Sequence, residues 1–256
     1  MVRGLPQQAR PDCAALISQA SLLVAASCIA AVGSLSGQAE SGMQALELAL
    51  TRSEQAPENL RVWAHTQAAE IAERLGDVSR AEKHYATAVT LAERAGNRDV
   101  YLQAAQADFL LGQQRAAEVL SQLQGLSDSD PLLLRLALAE AQLGRAGDVP
   151  AAASSAQHLQ ELLQRYTLAR LRGDTPHLRE QGMAALHLQH DSALALTLAE
   201  QSWAVQREPA DAMLLLQAAL AAGKPAAARP VIDWMRATGI QDLRLQALKT
   251  QWAFLP

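Results

Sequence analysis

Apolar residues recur at three- and four-residue spacing through almost the whole chain, the period that lines one face of an α-helix. Gly or Pro punctuates the pattern wherever it stops. Leu35-Ser36-Gly37, Arg74-Leu75-Gly76, Leu110-Leu111-Gly112, Gln142-Leu143-Gly144, Leu171-Arg172-Gly173 and Ala221-Ala222-Gly223 each close an apolar run with a glycine. Such a glycine reaches the left-handed conformation that ends a helix. Asp130-Pro131, Thr175-Pro176, Glu208-Pro209 and Lys224-Pro225 read as helix starts, a capping residue followed by proline at the first helical position. Between these marks the pattern predicts helices near 131–143, 151–172, 176–189, 191–206, 210–222, 226–237 and 242–251. Pro230 falls inside the sixth and predicts a kink or a late start.

The first third is harder to read. From Cys13 to Ala39 there is no charged side chain, and Leu22-Leu23-Val24-Ala25-Ala26 forms an apolar block. A transmembrane helix is disfavoured by the serines, Gln19 and Gly33 that interrupt it. A signal peptide would use Arg3 as its basic start and Ala25-Ala26-Ser27-Cys28 as a lipoprotein-like cleavage box, but Asp12 beside the block argues against it. The preferred reading is two helices, one ending near Ala20 and one over Leu22–Ser36, preceded by an irregular start over residues 1–11. A repeat domain then covers 12–238, and a capping helix with its tail covers 239–256.

The glycines are separated by 29 to 50 residues, around the period of about 34 expected of a helix–turn–helix repeat. The clearest unit runs from Val62 to Glu93: Gly76-Asp77-Val78 is a turn, Ala81 and Ala88 are small residues where two helices cross, and Tyr85 is the bulky residue between them. Closely packed helices need that alternation of small and large. This unit resembles the tetratricopeptide repeat, although Glu93 stands where a proline is usual and His65, not Trp63, stands at the usual Trp position. A weaker unit over Gln103–Leu123 keeps Gly112 and Ala117 but has Ser121 at the aromatic position. The segment Trp203–Ala212, with Pro209, has the spacing by which one such repeat passes to the next. Residues 172–234 are also similar to the C-terminal part of longer bacterial tetratricopeptide proteins of unassigned function. The resemblance implies an all-α fold, a right-handed superhelical solenoid of antiparallel helix pairs with degenerate repeats. It implies a concave face, formed by the first helix of each pair, that binds a peptide or a helix. Residues placed on that face are His65, Gln67, Glu70, Arg74, Gln103, Gln106 and Asp108.

Composition narrows the alternatives. About a fifth of the residues are Ala and about a sixth Leu, whereas aromatics make up 4%, a helix-forming balance. With 22 Lys+Arg against 26 Asp+Glu, the net charge of -4 supplies no basic excess for a phosphate backbone, so nucleic acid is not an expected partner. No phosphate-binding glycine loop, paired Cys-x-x-Cys or nucleophile elbow occurs, and no cofactor or catalytic set is predicted. His187 and His190, three apart, are the one pair with metal-ligand spacing; the competing reading makes them the end of a helix, where His interacts with the last carbonyls. Arg172-Gly173-Asp174 is explained by a helix end and the next helix start. Cys13 and Cys28 would form a bridge in an oxidising compartment and would otherwise be small buried residues. Trp63, Trp203 and Trp234 read as packing residues, and the cluster Trp252–Pro256 as a solenoid cap. An apolar first helix without a natural cap also allows self-association. Cytoplasm and periplasm are both compatible with these residues.

Overall fold

The computed structural model describes residues 4–174 and 177–252. Among the described residues every regular element is helical, and the helices pack in neighbouring pairs. The Thr175-Pro176 pair and the side chains of the Trp252–Pro256 cluster lie outside the described residues.

Helix α1 (Pro6–Gln19) starts well before the irregular stretch over 1–11 was expected to end. Pro6 stands at the first turn, where its missing N–H costs nothing, and Pro11 removes one hydrogen bond on an exposed face. Ser21 caps α2 (Leu22–Ser34), its hydroxyl accepting from the Val24 amide at 3.4 Å. The apolar block 22–26 therefore lies in a packed helix, and no helix among the described residues is long and apolar enough to cross a membrane. Cys13 on α1 and Cys28 on α2 are joined by a disulfide, with their Cα atoms 5.4 Å apart. Helix α3 (Ala39–Arg52) follows and packs back on α2.

The predicted unit at 62–93 is the pair α4 (Glu58–Leu75) and α5 (Val78–Arg94). Gly76 takes the left-handed conformation at φ 78°, and Asp77 caps α5 by accepting from the Arg80 amide at 3.0 Å. Ala81, Tyr85 and Ala88 are all buried, as the small–large–small alternation requires. Enlarging either alanine to leucine would overfill the crossing at a cost of about 1–3 kcal/mol.

The next pairs are α6 (Val100–Gly112) with α7 (Ala116–Leu123), and α8 (Asp130–Arg145) with α9 (Val149–Leu171). Here several residue roles differ from the sequence reading. Gly112 is still helical, and the left-handed turn is made two residues later by Gln114 at φ 60°. Gly144 is likewise inside α8, and Gly147 makes the turn at φ 103°. Gly144 has a packing role: a Cβ there would come within 2.8 Å of the Ala152 Cβ on α9. In α7 the buried small residue is Ala116, not Ala117, which faces solvent with Ser121. That one-residue shift fits α7 spanning only eight residues, with Val119 and Leu123 supplying its buried face. Ser129 rather than Asp130 precedes the first turn of α8.

Past Gly173, left-handed at φ 76°, come α10 (Leu178–His187) and α11 (Ser192–Val205), then α12 (Pro209–Ala221). Pro209 opens α12, while the Glu208 amide donates to Asp211 Oδ2 at 3.2 Å. Gly223 is left-handed and a short 3₁₀ turn covers Pro225–Ala228, so that α13 (Arg229–Thr238) starts late, with Pro230 in its first turn. Helix α14 (Leu243–Trp252) ends the described chain.

Two features fix the arrangement of the pairs. The even-numbered helices touch in sequence from α4 through α6, α8, α10 and α12 to α14, and α14 touches α4 again. The chain thus closes on itself. The N-terminal part of the chain joins the same contact: the Trp234 indole donates to the Gly4 carbonyl at 2.8 Å, the Ala39 amide donates to the Gln241 side chain at 2.8 Å, and Leu35 belongs to the core cluster of Trp203, Trp234, Ile240 and Leu245. The two indoles meet edge to face, centroids 5.4 Å apart.

Candidate binding face

On α4, Gln67, Glu70 and Arg74 fall on one stripe by helical spacing, with Glu73 at its edge. On α6, Tyr101 and Asp108 lie two turns apart on one stripe, and α8, α10, α12 and α14 carry Arg135, Arg179, Asp211 and Arg244. The Tyr101 hydroxyl donates to Glu70 Oε1 at 2.6 Å. Arg135 is buried and grips Asp108 with two nitrogens, at 2.9 and 2.6 Å. Arg179 reaches Glu208 at 3.2 Å and Asp211 at 3.4 Å. Arg244 pairs with Asp242 at 2.9 Å and with Glu73 on α4, the ion pair that ties the two ends of the chain.

The charges of these groups act on one another across helices. Glu70 on α4 feels Glu208 at the start of α12, Glu73 feels Asp108, and His187 at the end of α10 also feels Asp108. Burial pushes Glu70 above the usual carboxylate range despite nearby Arg74. It pushes Glu73 up to about 7, with Arg244 acting in the opposite direction. Tyr101 is 57% exposed, yet its phenol is also raised, first by burial and then by Glu70. Among the described residues the Tyr85 hydroxyl is buried with no hydrogen-bond partner, and the charges of Glu73, Glu70 and Asp108 act on it. Its ring packs on Phe109 at 5.4 Å.

Of the seven residues predicted for a groove, Gln67, Glu70 and Arg74 share the α4 stripe, and Asp108 on α6 pairs with Arg135. Arg74 donates to the Ser34 hydroxyl at 3.0 Å, and its Nε has no partner among the described residues. Gln67 turns to α2, its amide bridging the Ser27 carbonyl and the Trp63 indole when oxygen and nitrogen are assigned by their partners. Trp63 is 38% exposed rather than a core residue. Gln103 sits roughly opposite Tyr101 on the α6 helical wheel, its buried Oε1 having no partner among the described residues, and Gln106 is half-buried.

His65 belongs to a different site. Its Nδ1 lies 2.9 Å from His84 Nδ1, His84 Nε2 lies 3.2 Å from Glu47, and Glu47 receives Arg80 in a fork at 2.8 and 2.5 Å. One tautomer assignment satisfies the chain. His84 donates from Nε2 to the carboxylate, so its Nδ1 accepts from His65 Nδ1–H. Glu47 is held at about 2, first by its hydrogen bond from Arg80, and burial lowers both histidines, His65 to about 4.

The other predicted pair, His187 and His190, does not share a helix. α10 ends at His187, and His190 is exposed at φ 56° in the turn beyond. No group of three or more His, Cys, Asp or Glu suited to a metal ion occurs among the described residues.

Sequence reading missed Tyr101, Arg135, Arg179 and Arg244. Arg135 carried a signal: a guanidinium within Leu132-Leu133-Leu134-Arg135-Leu136-Ala137-Leu138 needs a buried partner. The others lack a local signature, because their partners lie about 30 or more residues away, as far as 171 for Arg244 and Glu73. No family model, curated protein or solved structure matches the chain.

Proposed function

We propose that this is a non-catalytic binding protein built as a tetratricopeptide-like solenoid of degenerate helix pairs, its guest held on the inner face of the first helices. The observation that supports this most is the convergence of polar stripes from α4, α6, α8, α10, α12 and α14 on one interior, since helices that only needed to pack would present apolar side chains there. The guest is a peptide or helical segment of a partner protein. The Cys13–Cys28 bridge favours an oxidising compartment, which for a bacterial chain is the periplasm. The end-to-end contact weakens the rival reading of self-assembly through an uncapped first repeat, because the chain's own last helices cover that end.

The test is affinity capture from the native lysate with three forms of the full chain: wild type, Glu70→Gln combined with Tyr101→Phe, and Glu118→Gln on the exposed outer surface. We expect a partner that is retained by the wild type and the outer variant and lost with the inner one. Retention by the inner variant would overturn the assignment of this face.

A further inference from the structure

Helix α9 is the longest among the described residues, about 34 Å at the usual rise per residue, and it packs on α8. Its buried residues Ala151, Ser155, Leu162 and Tyr166 form one stripe, and the charged groups beside that stripe are already engaged: His158 with Glu140, and Arg165 with Asp130 and Glu161. By helical spacing the opposite face carries Val149, Ala153, Ala156, Gln160, Leu163 and Thr167, and ends at Leu171. All seven are exposed, Val149 by 75% and Leu171 by 77%, and none is charged. They recur at alternating intervals of four and three residues as far as Thr167, the spacing of a seam between two helices. The Thr167 hydroxyl donates to the Leu163 carbonyl at 2.8 Å, so its polar atom is satisfied within the helix. Exposed faces of other helices are charged, with Lys83 and Glu93 on α5 and Arg229, Asp233 and Arg236 on α13. An uncharged seam along a whole exposed helix face marks an interaction surface.

We propose that this face pairs with the same face of a second copy of the chain, the two α9 helices running antiparallel about a two-fold axis at Gln160. Gln160 is the midpoint of Val149–Leu171, so pairing over the full length sets Val149 against Leu171 of the other copy, Ala153 against Thr167, and Ala156 beside Leu163. The small residues of one half meet the larger ones of the other, as close helix packing requires. Charge selects the direction. Asp148 caps the start of α9 and Arg170 lies in its last turn, both exposed. An antiparallel pair brings these unlike charges and the unlike ends of the two helix dipoles together, whereas a parallel pair would set like against like. In this register each Gln160 carboxamide meets its own copy and both donates and accepts, a single polar position that fixes the alignment of the seam. A second copy supplies this matching pattern by symmetry. One helix face is smaller than the roughly 800 Å² per partner of a standard interface, so the dimer is weak, with a dissociation constant in the micromolar range or above. The pairing uses neither the inner face nor the contact between the two ends of the chain.

The experiment is sedimentation equilibrium of the full, oxidised chain from low micromolar to millimolar concentration, with two double variants at the same exposed positions. We expect the wild-type mass to rise from 27.4 kDa toward twice that value. Ala153→Glu with Thr167→Glu sets like charges against each other across the seam and should weaken association about tenfold or more. Ala153→Glu with Thr167→Lys sets unlike charges against each other in the antiparallel pair and should associate at least as tightly as the wild type. In a parallel pair the second variant would repel itself as the first does. Both positions face solvent in the single chain, so both variants should keep the wild-type melting temperature at low micromolar concentration, and a change in mass would report on association alone. A wild type that stays monomeric at millimolar concentration would overturn the second copy as the occupant and leave a different protein for this face. Association of the first variant as tight as that of the wild type would overturn the face itself, and equal loss in both variants would overturn the antiparallel arrangement.

Discussion

At the scale of single residues, two titratable groups with opposite behaviour are set by where burial places them. His65 titrates near 4 in the folded chain against 6.5 ordinarily, so between those values the unfolded state holds more protons and stability falls as pH falls. Glu73 titrates near 7 against 4.5, so over that range the folded state holds more protons and stability rises as pH falls. The two slopes oppose each other between about pH 4.5 and 6.5. Urea unfolding across that window should show little net dependence from these groups in the wild type. His65→Asn, which preserves the donor to His84, should make acid comparatively more favourable, by about 1–2 kcal/mol after solvent screening. Glu73→Gln should do the reverse and steepen the loss in acid. Equal slopes in all three proteins would show that neither group is perturbed as described.

Among the elements, α1 depends most on a covalent tie. Its helix lacks a side-chain cap and buries only Pro6 and Cys13. The bridge to Cys28 closes a loop of 15 residues, worth roughly 3 kcal/mol by the loss of freedom in the unfolded chain. Dithiothreitol should therefore lower the melting temperature of the wild type, and the Cys13→Ser/Cys28→Ser double variant should melt at the reduced value with no response to the reductant. An unchanged wild-type melting temperature on reduction would mean that α1 is held by its other contacts, such as Arg10 to Gln38 at 2.7 Å. The paired helices downstream show how far local pattern carries. Gly76, Asp77, Ala81, Tyr85 and Ala88 take their expected places because turn, cap and crossing are decided within one pair. Gly112, Gly144 and Ala117 do not, because where a helix stops and which residue turns inward depend on the neighbouring pair as well.

For the whole molecule the decisive feature is closure. Gly4 has φ 64°, and a Cβ there would lie 2.6 Å from the Arg207 Cβ and 2.8 Å from the Trp234 indole nitrogen, so the segment before α1 reaches the C-terminal helices only as glycine. Gly96 has a similar φ of 59° with nothing near it. Gly96→Ala should cost about 1 kcal/mol, the backbone term alone. Gly4→Ala should cost about 2–3 kcal/mol and shift tryptophan emission to the red as the Trp234 hydrogen bond is lost. Scanning calorimetry with fluorescence checks both. Equal costs would mean that the end-to-end contact contributes nothing to stability.

The sequence by itself determined the helices, most of their boundaries and the small–large–small packing of the clearest pair, because those depend on periods and caps within one or two turns of chain. Only the tertiary structure decided that α14 returns to α4, that Arg244 meets Glu73, and that His65 belongs to a histidine–glutamate–arginine chain instead of the inner face. The joining of Cys13 to Cys28 was likewise left open by sequence. The physical reason is separation: these partners lie far apart along the chain, and no local pattern of periods and caps records which distant helices are packed together.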